Sequence, residues 1–529
     1  MNQLVILPFL TVLVTAVLTL LTRKWTKIQS AISILGLVGY ITAVFLLSAE
    51  VFPNNILTYQ LSNWPAPYGI SFVADGLSAF MLCTTAAIVL PALIFSLKYV
   101  DEKGHRISFQ PLFHFMILGI TGAFLTGDIF NLFVWFEVML MSSYILVGFY
   151  GGKQETKATL YYIVTNLIGS AFMLVAIGGL YATVGSLNMA HIASRLAEPA
   201  TYGVAVEPVL GLSAILFCVF ALKAGIAPFQ FWVPEAYKAA PAPVSAIMAG
   251  AAKKVGIYAI IRLYIGVFST AELSISFLGT TGNGFLAFFG PLMFLMAVTS
   301  IIIGGIGAIS RKSLDDVLSY SSIGQVGFIL LPISLYAINP GLGNIGLAAS
   351  LVYVLNHALA KSMLFLSSGA IKYSTGTDSF EQLGGLMDGS KLLSATFMIG
   401  ILSLIGIPPL LGFFGKLLVF QSSLSNLVAL MIAVTGGILT IIYFSRAWNE
   451  LFWGEPVEVV KTSKFRVQLA TITFIAVLII AGGIGSNIII EAAQNAAQAA
   501  VSQEQYINAV LGEITNNTET VKEITGGEH

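Results

Sequence analysis

Charge is what this sequence has little of. Only 9% of its 529 residues are Asp, Glu, Lys or Arg, against about 25% in soluble domains, and 57% are hydrophobic. That balance excludes a soluble globular chain and indicates an integral membrane protein. The few charges also cancel, with Lys plus Arg and Asp plus Glu each totalling 25. No net field invites nucleic acid, so only local placement is informative. Cysteine is scarcer still. Cys83 and Cys218 both sit in apolar runs, which argues against a disulfide or thiolate–metal framework. Nucleotide-cradling glycine loops, zinc-ligand spacings and a nucleophile elbow are missing as well, so no cofactor or metal centre is expected.

What the chain does have is long apolar runs. About 20 apolar residues cross a bilayer, and the sequence divides into about fourteen such segments: 2–21, 29–50, 74–98, 110–127, 129–150, 158–184, 207–239, 242–267, 285–309, 316–338, 342–371, 393–421, 426–450 and 466–490. The first is full length, has no basic residue before it and is followed by Arg23, Lys24 and Lys27, so it is expected to be retained rather than cleaved. Alternate connections are basic: Lys98/Lys103/Arg106, Lys153/Lys157, Lys238, Arg311/Lys312, Lys372/Lys391 and Lys461/Lys464/Arg466 join the first set. The connections 52–73, 339–342 and 422–424 contain no Lys or Arg. By the positive-inside rule the basic side is cytoplasmic and both termini lie outside.

Two spans carry a defect at corresponding places. Gly225-Ile226-Ala227-Pro228 interrupts the seventh, and Gly406-Ile407-Pro408-Pro409 the twelfth. Proline inside a helix removes a donor and clashes with the preceding turn. Paired broken helices in two halves of a chain point to a transport site, the alternative being ordinary proline kinks. About five spans separate the two glycines, which predicts inverted five-helix repeats. The expected fold is therefore an all-α polytopic membrane protein with N-terminal helices 1–3 in 1–109. A first repeat (helices 4–8) occupies 110–267, a second (helices 9–13) 285–450, and a last spanning helix 466–490. The segment 491–529 reads as an extracellular amphipathic helix and flexible tail, able to contact a neighbouring subunit or hang loose. Residues 51–73 read as an irregular extracellular connection.

The remaining charges inside the apolar runs are the candidate site. Glu137 lies mid-span in GDIFNLFVWFEVMLMSSYILV, where a charge costs roughly 2.5–3.5 kcal/mol, so it needs partners. Lys223 sits two residues before the first break, and a buried lysine gives up its proton readily. Lys253 and Lys254 are neighbours, about 100° apart on a helix, so at most one is expected to face the path of Lys223; both could instead anchor at the interface. His357 and Lys361 are spaced i, i+4 and share a face. Lys416 follows the second break by two turns and suits an exit point, or a snorkelling anchor. One carboxylate, several lysines and one histidine spread over five spans make sense together as a hydrated proton path.

The Glu137 span, the run LKAGIAPFQFWVPEAYKAAPAPVSAIMAGAAKKVGIYAIIR and the Lys416 helix resemble the antiporter-like subunits of respiratory complex I. They are more similar still to the D-type subunits of Mrp-type multisubunit Na+/H+ antiporters. The resemblance covers nearly the whole chain. It implies a transporter subunit rather than an enzyme, working in a hetero-oligomeric complex of a bacterial cell membrane. It implies proton-transfer roles for Glu137, Lys223 and, by alignment on Gly-Ile-Tyr-Ala, Lys254, with Lys416 and either His357 or Lys361 completing the set. Gln230 and Tyr237 stand where complex I relatives often have histidines, and some relatives have glutamate at the position of Lys416, which favours the Mrp reading. A proton-pumping arm of a complex I-type oxidoreductase or membrane-bound hydrogenase is the alternative. A self-contained transporter and a structural scaffold are further rivals. Na+ prefers oxygen ligands, and one mid-membrane carboxylate among several amines predicts that a partner subunit handles most of the Na+ route.

Overall fold

The computed structural model describes residues 2–512 apart from 53, 272, 278, 279 and 454–465. The expected polar tail beyond 512, and Lys461 and Lys464 of the last basic connection, lie outside the described residues. Helices dominate: α1 Leu7–Leu21, α2 Thr26–Val51, α3 Gly76–Tyr99, α4 Phe109–Leu125, α5 Ile129–Val147 and α6 Lys153–Val184. The broken pair α7 Val206–Ala224 and α8 Trp232–Ala239 follows, then the helical run α9 Ala242–Thr270. Next come α10 Leu286–Ile309, α11 Leu314–Ile338 and α12 Ile345–Thr375, then the second broken pair, α13 Lys391–Ile405 and α14 Leu411–Ser423. The last four are α15 Leu427–Trp448, α16 Arg466–Ile484, α17 Ser486–Val501 and α18 Gln503–Leu511. Among the described residues eleven helices are long and apolar enough to cross a membrane, and α1, α4 and α13 are shorter apolar helices. The chain is a multi-pass membrane protein.

Burial sorts these helices. α9, α11 and α12 are buried on nearly every face, whereas α6 presents Leu160, Val164, Leu167, Ile168, Phe172 and Val175 outward. A helix that is apolar all round but exposed on one side is soluble only in lipid, so α6 lies on the rim and α9, α11 and α12 form the interior. That interior is where the amines sit.

Three of the basic connections meet one another. Lys238 reaches Asp316 at 2.9 Å, Lys312 reaches Glu381 at 2.8 Å, and Lys372 pairs with Asp315 and, at 3.7 Å, with Asp378. These contacts gather the connections after α8, α10 and α12 onto one face. On the other face the C-terminal helices are docked rather than loose. Asn495 donates to the Phe52 carbonyl (3.3 Å), Asn344 to Gln498 (2.7 Å) and Gln503 to the Ile265 carbonyl (3.1 Å). Ala493, Ala496, Ala497 and Ala500 of α17 are buried; their small side chains allow a close approach to α3 and α12, and this packing corrects the option of a loose helix. Likewise the connection 51–73 is not wholly irregular, because Leu57–Gln60 pairs antiparallel with Ser71–Ala74.

Candidate functional site

Both broken helices end in the same way. α7 stops at Gly225 (φ +64°) and α13 at Gly406 (φ +94°), each in the left-handed region that favours glycine. Both following turns contain a cis X–Pro peptide, at Ala227-Pro228 and Pro408-Pro409. The backbone groups set loose by the breaks must find partners inside the protein. At the first, the Trp232 indole donates to the Leu222 carbonyl (2.8 Å) and the Ala227 amide donates to Ser300 of α10 (2.9 Å). At the second, the Gly412 amide donates to the Ser403 hydroxyl (3.4 Å), which itself donates to Asn356 of α12 (2.6 Å).

A lysine lies against each of these glycines. A methyl group at Gly225 would come within 3.2 Å of the Lys253 Nζ, and one at Gly406 within 2.9 Å of the Lys416 Cδ. Lys253 thus faces the first break, although the family resemblance selected Lys254. Both are interior. Because α9 is enclosed by protein, neighbours about 100° apart are both buried yet point to different partners, Lys253 to Ser322 of α11 and Lys254 to His357 of α12. A widened π-type turn at Met248–Ala252 immediately precedes them, a device common at functional sites.

Lys223, Lys253, Lys254, His357, Lys361 and Lys416 are each at most 4% exposed, which removes snorkelling and interfacial anchoring as explanations. They fall into three groups. In the first, the Lys223 Nζ donates to the Ser170 hydroxyl (2.8 Å) and, longer, to the Asn166 carbonyl (3.4 Å), while Ser170 donates to the carboxylate of the partly buried Glu137. The acid and amine meet through a hydroxyl rather than in direct contact. The Phe136 ring lies 5.8 Å from the ammonium.

The second group is central. The Lys254 Nζ sits 2.6 Å from His357 Nδ1 and donates to the Ala249 carbonyl. Lys253 reaches Ser322 of α11 at 3.3 Å, and Lys361 donates to the Leu318 carbonyl at 2.8 Å. Lys254 and His357 are in direct contact, so placing a charge on one opposes charging the other. The third group is Lys416 alone. Its ammonium lies 4.9 Å over the Phe328 ring and has no hydrogen-bond partner among the described residues. Such a line of amines can hand protons along, but offers a cation few ligands. Among the described residues no group of three or more His, Cys, Asp or Glu side chains could hold a metal ion.

Sequence reasoning missed Ser170 and the inward role of Lys253. Asn166 and Ser170, i and i+4 in an otherwise apolar helix, are the signal that could have found the former. Outside the spans, Asp128 caps α5, accepting from the Asn131 amide at 2.7 Å, and its burial pushes its carboxyl up to about 6.

The fold and site define a polytopic membrane protein built around buried titratable amines joined to two broken helices. Residues 126–442 match the model for the NADH:quinone oxidoreductase/Mrp antiporter transmembrane family, and the chain belongs to that family. It is 33% identical over 518 residues to the D-type subunit of the Na(+)/H(+) antiporter of Alkalihalophilus pseudofirmus, covering 97% of this chain and 100% of the relative. It also superposes on a chain of the Mrp complex from Dietzia sp. with a TM-score of 0.84 at 26% identity, over 97% of this chain and 100% of that one. A chain of an archaeal membrane-bound sulfane sulfur reductase, a respiratory membrane complex, gives a TM-score of 0.84 at 25% identity, over 96% and 100%.

Proposed function

We propose that this chain is the proton-translocating subunit of a multisubunit Na+/H+ antiporter that serves pH homeostasis. It works as a transporter subunit rather than an enzyme, beside other antiporter subunits in the bacterial cell membrane, with both termini outside. In this reading 110–267 and 285–450 are two inverted five-helix units, each with its own break. The observation that carries the proposal is the buried series from Glu137 through Lys223, Lys253, Lys254, His357 and Lys361 to Lys416, which has no purpose in a packing scaffold. Dry burial of so many amines costs several kcal/mol each.

The mechanism follows from the two states of the first group. With Ser170 bridging them, Glu137 favours the charged form of Lys223. When that bridge opens, the ammonium loses its compensating partner and its proton moves toward the central amines. Mutual repulsion there passes the charge on toward Lys416, and reprotonation from the opposite side resets the line. Na+ crosses largely in a partner subunit, because this path offers a single mid-membrane carboxylate against several amines.

The test is Na+-driven proton movement in everted vesicles carrying the whole complex. Glu137→Gln and Lys223→Met should each cut it by about 100-fold or more, in line with losing an essential proton-transfer group, while the complex still assembles. Antiport at the wild-type rate in both would overturn the reading. The likeness to a respiratory membrane complex supports a second reading, a proton-pumping arm; co-purifying iron–sulfur subunits would decide for it.

A further inference from the structure

One stripe of α11 touches every amine beyond the first break except Lys254. Its Leu318 carbonyl holds Lys361, its Ser322 hydroxyl accepts from Lys253, and its Phe328 ring underlies Lys416. Gln325 lies on the same stripe, between the central amines and Lys416, and its amide is fully engaged. Its Oε1 accepts from the Tyr353 hydroxyl, and its Nε2 donates to the Tyr443 hydroxyl (2.9 Å) and to Thr440 Oγ1 (3.2 Å) of α15. Ser321 closes the set on Tyr443 at 2.8 Å. All five side chains are at most 2% exposed. A neutral network this deep is costly unless each member is satisfied, and nothing in the proton path described so far uses it.

Tyr353 is the member that connects to the path. It lies one turn before His357 and two before Lys361, at i, i+4 and i+8, so the three share a face of α12. Its ring packs on Phe328 at 5.8 Å between centroids, and the Lys416 ammonium lies over that same ring. On its other side, a methyl group at Gly415, the residue before Lys416, would meet the Tyr353 Cδ2 at 3.0 Å. The third group is otherwise separated from the second, since the Lys416 ammonium has no hydrogen-bond partner among the described residues.

We propose that Tyr353 is the hydroxyl that passes a proton between the central amines and Lys416, and that Gln325, fixed by Thr440 and Tyr443, positions it. This rests on the proton-translocation reading above. The step balances without a co-reactant. A proton arriving at the tyrosine oxygen from the His357 side, through water, is matched by departure of the hydroxyl's own proton toward Lys416. One O–H bond forms as another breaks, and the tyrosine keeps its charge.

The test uses the assembled complex in everted vesicles. Tyr353→Phe keeps the ring packing and removes only the hydroxyl. It should lower antiport at saturating Na+ by about 10-fold or more, leave the Na+ concentration for half-maximal rate unchanged, and raise the solvent deuterium isotope effect. Gln325→Leu should do the same, Gln325→Glu should retain most activity by keeping the acceptor, and the double Tyr353→Phe/Gln325→Leu should be no worse than either single change. Additive losses, or an unchanged isotope effect in both single variants, would assign the network to packing alone. Normal turnover of Tyr353→Phe beside inactive Glu137→Gln would sink this inference while leaving the proposed function standing; normal turnover of both would sink the function itself.

Discussion

At the first break Lys223 reaches a carboxylate through Ser170, whereas at the second Lys416 lies along an aromatic ring with no hydrogen-bonding partner among the described residues. The backbones match, with a left-handed glycine, a cis proline and a polar residue from a neighbouring helix at each. The side-chain environments do not. A hydrogen bond to a charged group contributes about 1.5–3 kcal/mol, and an ammonium over a ring about 0.5–2 kcal/mol. The first amine therefore has a hydrogen-bonded bridge to a carboxylate, and the second has only an aromatic face. A proton path with that inequality has a controlled end and a release end.

The inequality can be broken most directly by removing the second amine and the bridge of the first in turn. Lys416→Met should reduce antiport by about 100-fold, because no neighbouring group can replace the amine, while Ser170→Ala should cost only about 10-fold, since water can rejoin Glu137 to Lys223. Equal losses in the same vesicle assay would mean that the serine hydroxyl is indispensable and that both ends are gated alike.

The glycines sharpen the comparison at the next level. Alanine at either break would occupy a left-handed conformation, at a cost of about 1–3 kcal/mol. At Gly225 the new methyl also meets Val233 Cγ2 at 2.6 Å, whereas at Gly406 it meets the flexible Lys416 methylenes. Gly225→Ala should thus lower the yield of assembled complex several-fold, and Gly406→Ala less. The reverse order in a size-exclusion assay would place the more rigid packing at the second break.

The smallest effect concerns Asp128, the buried acid that caps α5 in the first half of the chain. Because burial raises its carboxyl to about 6, the neutral form is the one the fold prefers. That contribution to stability is complete below the ordinary carboxylate range and is lost as pH rises through about 6. Asp128→Asn keeps the capping oxygen, so the variant should melt a few degrees higher than wild type at about pH 8 and together with it at about pH 4. A difference at the lower pH would show a change in capping instead.

Much of this was legible in the residues. Apolar run length set the spans, and Gly225-Ile226-Ala227-Pro228 and Gly406-Ile407-Pro408-Pro409 marked the breaks, because nothing else in a membrane helix forces the chain to leave it. Glu137, Lys223 and Lys416 stood out against apolar neighbours. Lys253 did not, since spacing alone cannot tell a helix exposed on one side from one enclosed by α11, α12 and α7. Ser170 and Gln325 were hidden for another reason: a neutral side chain in a spanning helix can bond to its own backbone, so only the facing helix reveals its partner. The docking of α17 was out of reach too, because an alanine face records that something comes close but not what.

The widened turn at Met248–Ala252 also acts as a key for the phase of everything downstream. A π-type turn holds one residue more than a regular turn, so tightening it to an ordinary helical turn with no residue removed would swing the rest of α9 by about 100°. Lys253 would leave Gly225, and Arg262, 2.7 Å from Asp75, would lose its carboxylate at the opposite end. The widened turn, rather than any one side chain, therefore fixes the alignment of amine to break, and it ties that break to the buried Arg262–Asp75 pair thirteen residues away from Ala249.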